Sequence, residues 1–164
     1  MNKCHVLFAG AALLLAACAS YDPSGIAVGS SESTVLEKMG APTGQRSLPD
    51  GGKRLEFARG PLGYHTFMLD FDAQGRLQRS EQVLTEQNFA KIQPGMDQSE
   101  VLALLGRPSE ISGYGWHERF NAWGYRYWNS FCQWFQIGVN QQGKVVDSAY
   151  ATDPICERRN NARD

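Results

Sequence analysis

Four cysteines, Cys4, Cys18, Cys132 and Cys156, are the residues in this chain best equipped for chemistry. Cys132 and Cys156 form neither a C-x-x-C pair nor a cluster with two histidines, so thiol exchange and zinc ligation are not their expected roles. In an oxidising compartment the default for two such cysteines is to pair. A disulfide closing a loop of about 25 residues contributes roughly 3.5 kcal/mol by restricting the unfolded chain. His65 and His117 have no mutual spacing suited to a metal. There is no G-x-S-x-G, P-loop, H-E-x-x-H or G-x-G-x-x-G, and the carboxylates are scattered rather than paired as an acid and a base. No catalytic residue, metal or cofactor is therefore expected, and the reading is a binding protein rather than an enzyme.

Cys18 stands at the end of a different pattern. Lys3 is followed by an apolar run from Val6 to Ala17 and then at once by polar chain. A membrane-crossing helix needs about 20 apolar residues, so this run reads as a signal peptide over 1–17. Leu15-Ala16-Ala17-Cys18 resembles the bacterial lipobox. That resemblance implies cleavage before Cys18, a thioether-linked diacylglycerol on its sulfur and a further acyl chain on its amine. Two or more chains anchor stably where one does not. Ala19 and Ser20 follow rather than Asp, which by the sorting rule of such lipoproteins favours the outer membrane, facing the periplasm. The alternative is an ordinary secretory cut with Cys18 incidental.

From Cys18 onward the chain carries 15 Lys+Arg (16 less Lys3) against 17 Asp+Glu, too even a balance for a nucleic-acid footprint. The exported part repeats itself. Val28 to Pro42 and Pro94 to Pro108, at an offset of 66, share six of fifteen positions, and Phe67 to Leu77 matches Phe135 to Val145 at an offset of 68. Each copy opens on a short punctuated helix. Ser31 caps the first and Gly40 and Pro42 end it; Asp97, with Glu100 three residues on, caps the second, and Gly106 and Pro108 end it. Helices this short need their apolar face covered. The cover is expected from strands at Arg54 to Arg59, around Phe67 to Phe71 and at Leu77 to Leu84, and again at Trp116 to Trp128, Cys132 to Asn140 and Val145 to Thr152. The expected fold is α+β: two tandem repeats, each a short helix packed on a three-stranded antiparallel sheet. The expected divisions are 18–27 as a lipidated linker, 28–88 and 89–156 as the repeats, and 157–164 as a polar, frayed tail. A hairpin turning at 141–143 puts the position opposite Cys132 near Asp153, close to Cys156.

The block from Ile92 to Pro108, followed by an aromatic strand and a hairpin, resembles the small outer-membrane lipoproteins of the BamE/SmpA/OmlA type. The resemblance implies an accessory role in the machinery that inserts β-barrels into the outer membrane, with a protein partner and no enzymatic activity. Having two such units in tandem is similar instead to the β-lactamase inhibitor proteins. This second likeness implies the alternative of a periplasmic inhibitor or ligand-binding lipoprotein using an aromatic sheet face.

Between Tyr114 and Phe135, ten of twenty-two residues are aromatic, against 11% for the whole chain. With Phe135, Ile137 and Val139 over the helix, Trp134 points the other way, near Trp128 or Trp116. Trp116, Trp123, Trp128 and Trp134 are accordingly the candidate partner-binding residues, since rigid aromatic anchors dominate binding hot spots. Equally, the repeats could bury these rings against each other or against the disulfide.

Overall fold

A computed structural model describes residues 22–114 and 120–161. The order is helix α1 (Glu32–Met39), strands β1 (Gly44–Ser47), β2 (Lys53–Ala58), β3 (Thr66–Phe71) and β4 (Leu77–Gln82), then helices α2 (Glu86–Phe89) and α3 (Gln98–Leu105). Strands β5 (Glu110–Tyr114), β6 (Phe120–Arg126), β7 (Gln133–Asn140) and β8 (Val145–Thr152) and helix α4 (Pro154–Asn161) complete it. The strands make two antiparallel sheets in the orders β1-β2-β3-β4 and β5-β6-β7-β8. The fold is α+β as expected, with a fourth strand in each sheet. The added strands are β1 and β5; of the strand expected from Trp116 to Trp128, residues 116–119 lie outside the described residues and Phe120–Arg126 is β6. Of the end expected to fray from 157, residues 157–161 are described and belong to helix α4.

The two halves match in detail. The Ser31 hydroxyl accepts from the Thr34 N–H at 3.2 Å, and Glu100 accepts from the Asp97 N–H at 2.8 Å, so both helices are capped where the sequence places caps. Beyond the helices Gly40 and Gly106 take φ of 81° and 75°, and the hairpin glycines Gly75 and Gly143 share φ of 72°. Both hairpins shift register at the same place, Asp70/Phe71 and Gly138/Val139. Each chain segment just before a helix pairs with its own hairpin, Ser31 with Arg76 and Asp97 with Lys144.

What the halves bury differs. Val35 and Met39 of α1 close on Leu55, Phe57, Leu69, Phe71 and Leu77, one face of the first sheet. Val101 and Leu105 of α3 close on Trp123, Tyr125, Phe135, Ile137 and Val139, the inner face of the second. Removing such a side chain from water contributes roughly 1.5–3 kcal/mol. Met68, on the far face of the first sheet, belongs to this second core, as do Val83 and Leu84 just past β4. The first sheet also holds the end of α3 by its carbonyls. Arg46 Nη2 donates to Leu102 O at 2.9 Å, Arg54 Nη1 to Ala103 O at 3.2 Å, and Glu56 accepts the Arg107 N–H at 3.0 Å. Helix α3 is thus a middle layer between the two sheets, and its C-terminal carbonyls are taken by arginines, the charge its dipole favours. Gly106 is required by its φ of 75°, and a Cβ there would also press on the Glu56 carboxyl group at 2.9 Å.

The Tyr125 hydroxyl donates to Gly106 O at 3.0 Å from a fully buried position. Burial, with the Glu56 charge adding to it, pushes its phenol well above the ordinary 10.0. A raised phenol keeps its proton in the folded chain while the unfolded chain loses it, so stability is fully present below about pH 10 and falls as pH rises. Tyr125→Phe is expected to cost about 1 kcal/mol at neutral pH and to flatten that alkaline decline. Urea unfolding between pH 8 and 11.5 checks it, and an unchanged slope would contradict the assignment.

Candidate functional site

Cys18 and Trp116 lie outside the described residues. The other candidate residues occupy three different environments. Trp123 is 6% exposed and packs inside the core over α3. Trp134 faces the opposite way, as alternation from Phe135 requires, yet it too is 5% exposed. Room for its ring comes from Gly124 on the adjacent strand, where an added Cβ would lie 2.2 Å from Trp134 Cζ3. The Arg126 guanidinium carbon stands 5.3 Å from the centre of the same ring. Gly124→Ala is therefore expected to destabilise by about 1–3 kcal/mol through overpacking, read as a lower thermal midpoint. A neutral result would mean that the ring is free to move away. Trp134 Nε1 is the buried side-chain donor left without a partner among the described residues.

Trp128 is different, being 76% exposed. It opens the loop between β6 and β7, beside Phe131 at 79%, and Leu62 at 62% stands in the loop between β2 and β3. The Tyr64 and Trp128 rings meet edge to face with centroids 6.0 Å apart. Tyr64, Trp128, Asn129 and Gln133 line a cleft of about 200 Å³ at this end.

The loop is held from both sides. Asn129 Nδ2 donates to Tyr127 O at 3.0 Å and to Gln133 O at 2.7 Å, and its carbonyl accepts from the Phe131 and Gln133 N–H groups. Cys132 and Cys156 are joined as a disulfide with their Cα atoms 6.5 Å apart, a separation within the ordinary range. Behind the loop Arg126, its side chain 1% exposed, donates to both Asp153 oxygens at 2.7 and 2.9 Å, to Glu110 at 3.2 Å and to Pro61 O at 2.5 Å. Burial pulls the Arg126 pKa down, but hydrogen bonds and charge from Asp153 and Glu110 outweigh it and hold the guanidinium charged. Among the described residues no three of His, Cys, Asp and Glu gather as metal ligands would. The geometry offers an exposed aromatic end on a rigid support, which suits recognition. Leu62, Tyr64, Phe131 and the Arg126–Asp153 pair were not singled out in the sequence.

A family match falls on the segment from the end of β4 through α2, α3 and β5 into β6. Residues 81–121 match the family model described as "Outer membrane protein assembly factor BamE domain". The protein is BamE-like over this stretch. The BamE-like segment covers 41 of the 164 residues (81 to 121 inclusive) and holds the capped helix and Gly-x-Pro block that carry the resemblance in sequence. No curated protein matches the chain.

Solved structures add little to the BamE-like assignment. A cysteine-rich secretory protein from Staphylococcus aureus subsp. aureus Mu50 aligns at 13% identity with a TM-score of 0.30, covering 78% of this chain and 45% of its own. An extracellular protein containing an SCP domain from Bacillus anthracis str. Ames aligns at 9% identity with a TM-score of 0.30, covering 77% and 44%. The chain spans less than half the length of either, and overlap this low carries no argument.

Proposed function

We propose that this protein is a non-enzymatic accessory factor in outer-membrane protein assembly, anchored through acyl chains on Cys18 to the periplasmic face of the outer membrane and binding a protein of the β-barrel assembly machinery. The observation that carries the reading is the BamE-like segment at 81–121. It coincides with the structural centre, since α3 is the layer that both sheets grip. The division into repeats at 28–88 and 89–156, behind a removed signal at 1–17 and a linker at 18–27, belongs to the same proposal.

Deleting the gene and following an abundant barrel protein by its heat-modifiable mobility tests this. Folded barrel should fall on deletion and return with the wild-type chain but not with Cys18→Ala, which cannot be acylated. A mild-detergent pull-down of the lipidated protein should recover barrel-assembly components in near-stoichiometric amount. Unchanged barrel levels, together with recovery of a single soluble enzyme, would replace this reading with the inhibitor one.

A further inference from the structure

Six large hydrophobic side chains are exposed among the described residues; Phe131 and Trp128 are the two most exposed, and Leu62 follows Val28. They come from two loops far apart in sequence that share one end of the molecule. Arg126, at the root of the second loop, donates to Pro61 O in the first, and the Tyr64 and Trp128 rings touch. Neither Gly60-Pro61-Leu62-Gly63-Tyr64 nor Tyr127-Trp128-Asn129-Ser130-Phe131-Cys132-Gln133 contains a charged residue. The four hydrogen bonds of Asn129 and the disulfide at Cys132 fix the second loop with its rings pointing outward. Such rigid exposure of apolar groups marks a surface covered by something outside the chain.

The start of the described chain indicates what that is. Ser24 O accepts from Lys38 Nζ in the last turn of α1. From there the chain passes Gly40 to Thr43, which lines a cleft with Gly60, Pro61 and His65. Hydrogen bonds from Ser24 lower the Asp22 carboxyl pKa, with the Lys38 charge adding to them. The chain therefore enters at the end where the two loops lie. Cys18 is four residues before Asp22. Four Cα steps reach at most about 15 Å, so a bilayer holding Cys18 lies within that distance of this end. An uncharged tip of Trp, Phe and Leu has the composition that settles at a membrane interface, where the indole N–H stays wet and the ring is buried.

We propose that Leu62, Trp128 and Phe131 form a tip that inserts into the interface of the bilayer to which Cys18 is anchored. Anchor and tip together hold the molecule in one orientation on the membrane. The inference rests on the lipid-anchor reading above.

The full chain, purified from membranes and reconstituted in phosphatidylethanolamine–phosphatidylglycerol vesicles with brominated acyl chains, tests it by tryptophan quenching, with the N-terminal peptide weighed by mass spectrometry. Trp123 and Trp134 are shielded within the protein, so in a Trp116→Phe background Trp128→Phe should remove at least half of the bromine-sensitive fluorescence. Phe131→Ser with Leu62→Ser should reduce quenching of Trp128 at least twofold. All these side chains are exposed, so an unchanged melting temperature shows that the variants fold. Quenching that is absent, or equal with and without Trp128, on a chain whose Cys18 is acylated overturns the tip and leaves the anchor standing. An unmodified Cys18 overturns the anchor, and the same vesicles then decide the tip: Trp128-dependent quenching upholds it and its absence refutes it.

Discussion

Asp153→Ala is expected to lower the stability of the folded chain by about 3–5 kcal/mol, the cost of leaving one member of a buried ion pair uncompensated. Arg126 and Asp153 have side chains only 1% and 4% exposed and meet through two hydrogen bonds. Without the carboxylate, the guanidinium keeps Pro61 O and the half-exposed Glu110, neither of which replaces a buried counter-charge. The loss should appear as a lower midpoint of urea unfolding at unchanged slope. Asp153→Asn, which retains an acceptor, should lose less. Replacing both members with apolar residues, Arg126→Met with Asp153→Leu, should be milder than either single change, because the main penalty is the unpaired charge rather than the missing pair. A loss below about 1 kcal/mol for Asp153→Ala is the behaviour of a solvent-screened pair and would contradict the burial.

The position of this pair explains why it matters beyond stability. Arg126 ends β6 and reaches the loop before β3, so one side chain joins the two halves at the exposed aromatic end. At the other side of the joint Arg46, Arg54 and Glu56 of the first sheet hold the C-terminus of α3. Arg54 is itself kept by Asp70 at 2.5 and 2.7 Å, which raises its pKa against the opposing effect of burial. The halves are thus fastened at both sides of α3 by arginines whose partners are backbone carbonyls and carboxylates, interactions with fixed direction. Apolar contact through Met68, Val83 and Leu84 supplies burial between them, and the arginines set the register.

Much of this was legible where local signals dominate. Ser31 and Asp97 start helices, Gly40 and Gly106 end them, Gly75 and Gly143 turn hairpins, and Phe135, Ile137 and Val139 alternate into the core. The missed strands lack such signals. Strand β1 reads Gly-Gln-Arg-Ser, with no apolar alternation, and β5 reads Glu-Ile-Ser-Gly-Tyr, with Ile111 exposed and no alternation either. Both are edge strands, held by pairing with β2 and β6 rather than by their own side chains. Helix α2 is one turn long, and its Phe89 is placed by stacking on Phe135 at 4.5 Å, a contact between distant residues. At the candidate site alternation puts Trp123 and Trp134 on opposite faces, but it does not reveal that Gly124 leaves a slot that buries Trp134. Nor does any local pattern bring Leu62 to the same end as Trp128.

Removing the disulfide, with Cys132→Ser and Cys156→Ser together, is expected to cost about 2–5 kcal/mol, the usual range for a native bridge in a small domain. Its loop encloses β7 and β8, with a sequence separation of 24. Asp153 lies inside the closed segment. Its N–H donates to Cys132 O at 3.0 Å, and its own carbonyl accepts from the Cys156 N–H at 2.9 Å, so the bridge and the Arg126 partner share one short stretch of backbone. Groups that share a support do not lose stability independently. Once the bridge is gone, α4 and Asp153 are less constrained, and part of the Arg126 pair is already lost. Adding Asp153→Ala to the bridge-free chain should therefore cost at least about 0.5 kcal/mol less than it does in the intact chain. Urea unfolding of the four members of this cycle, with and without reductant for the intact bridge, measures the coupling. Strict additivity would mean that the bridge constrains only the unfolded chain and that the ion pair holds the aromatic end without its help.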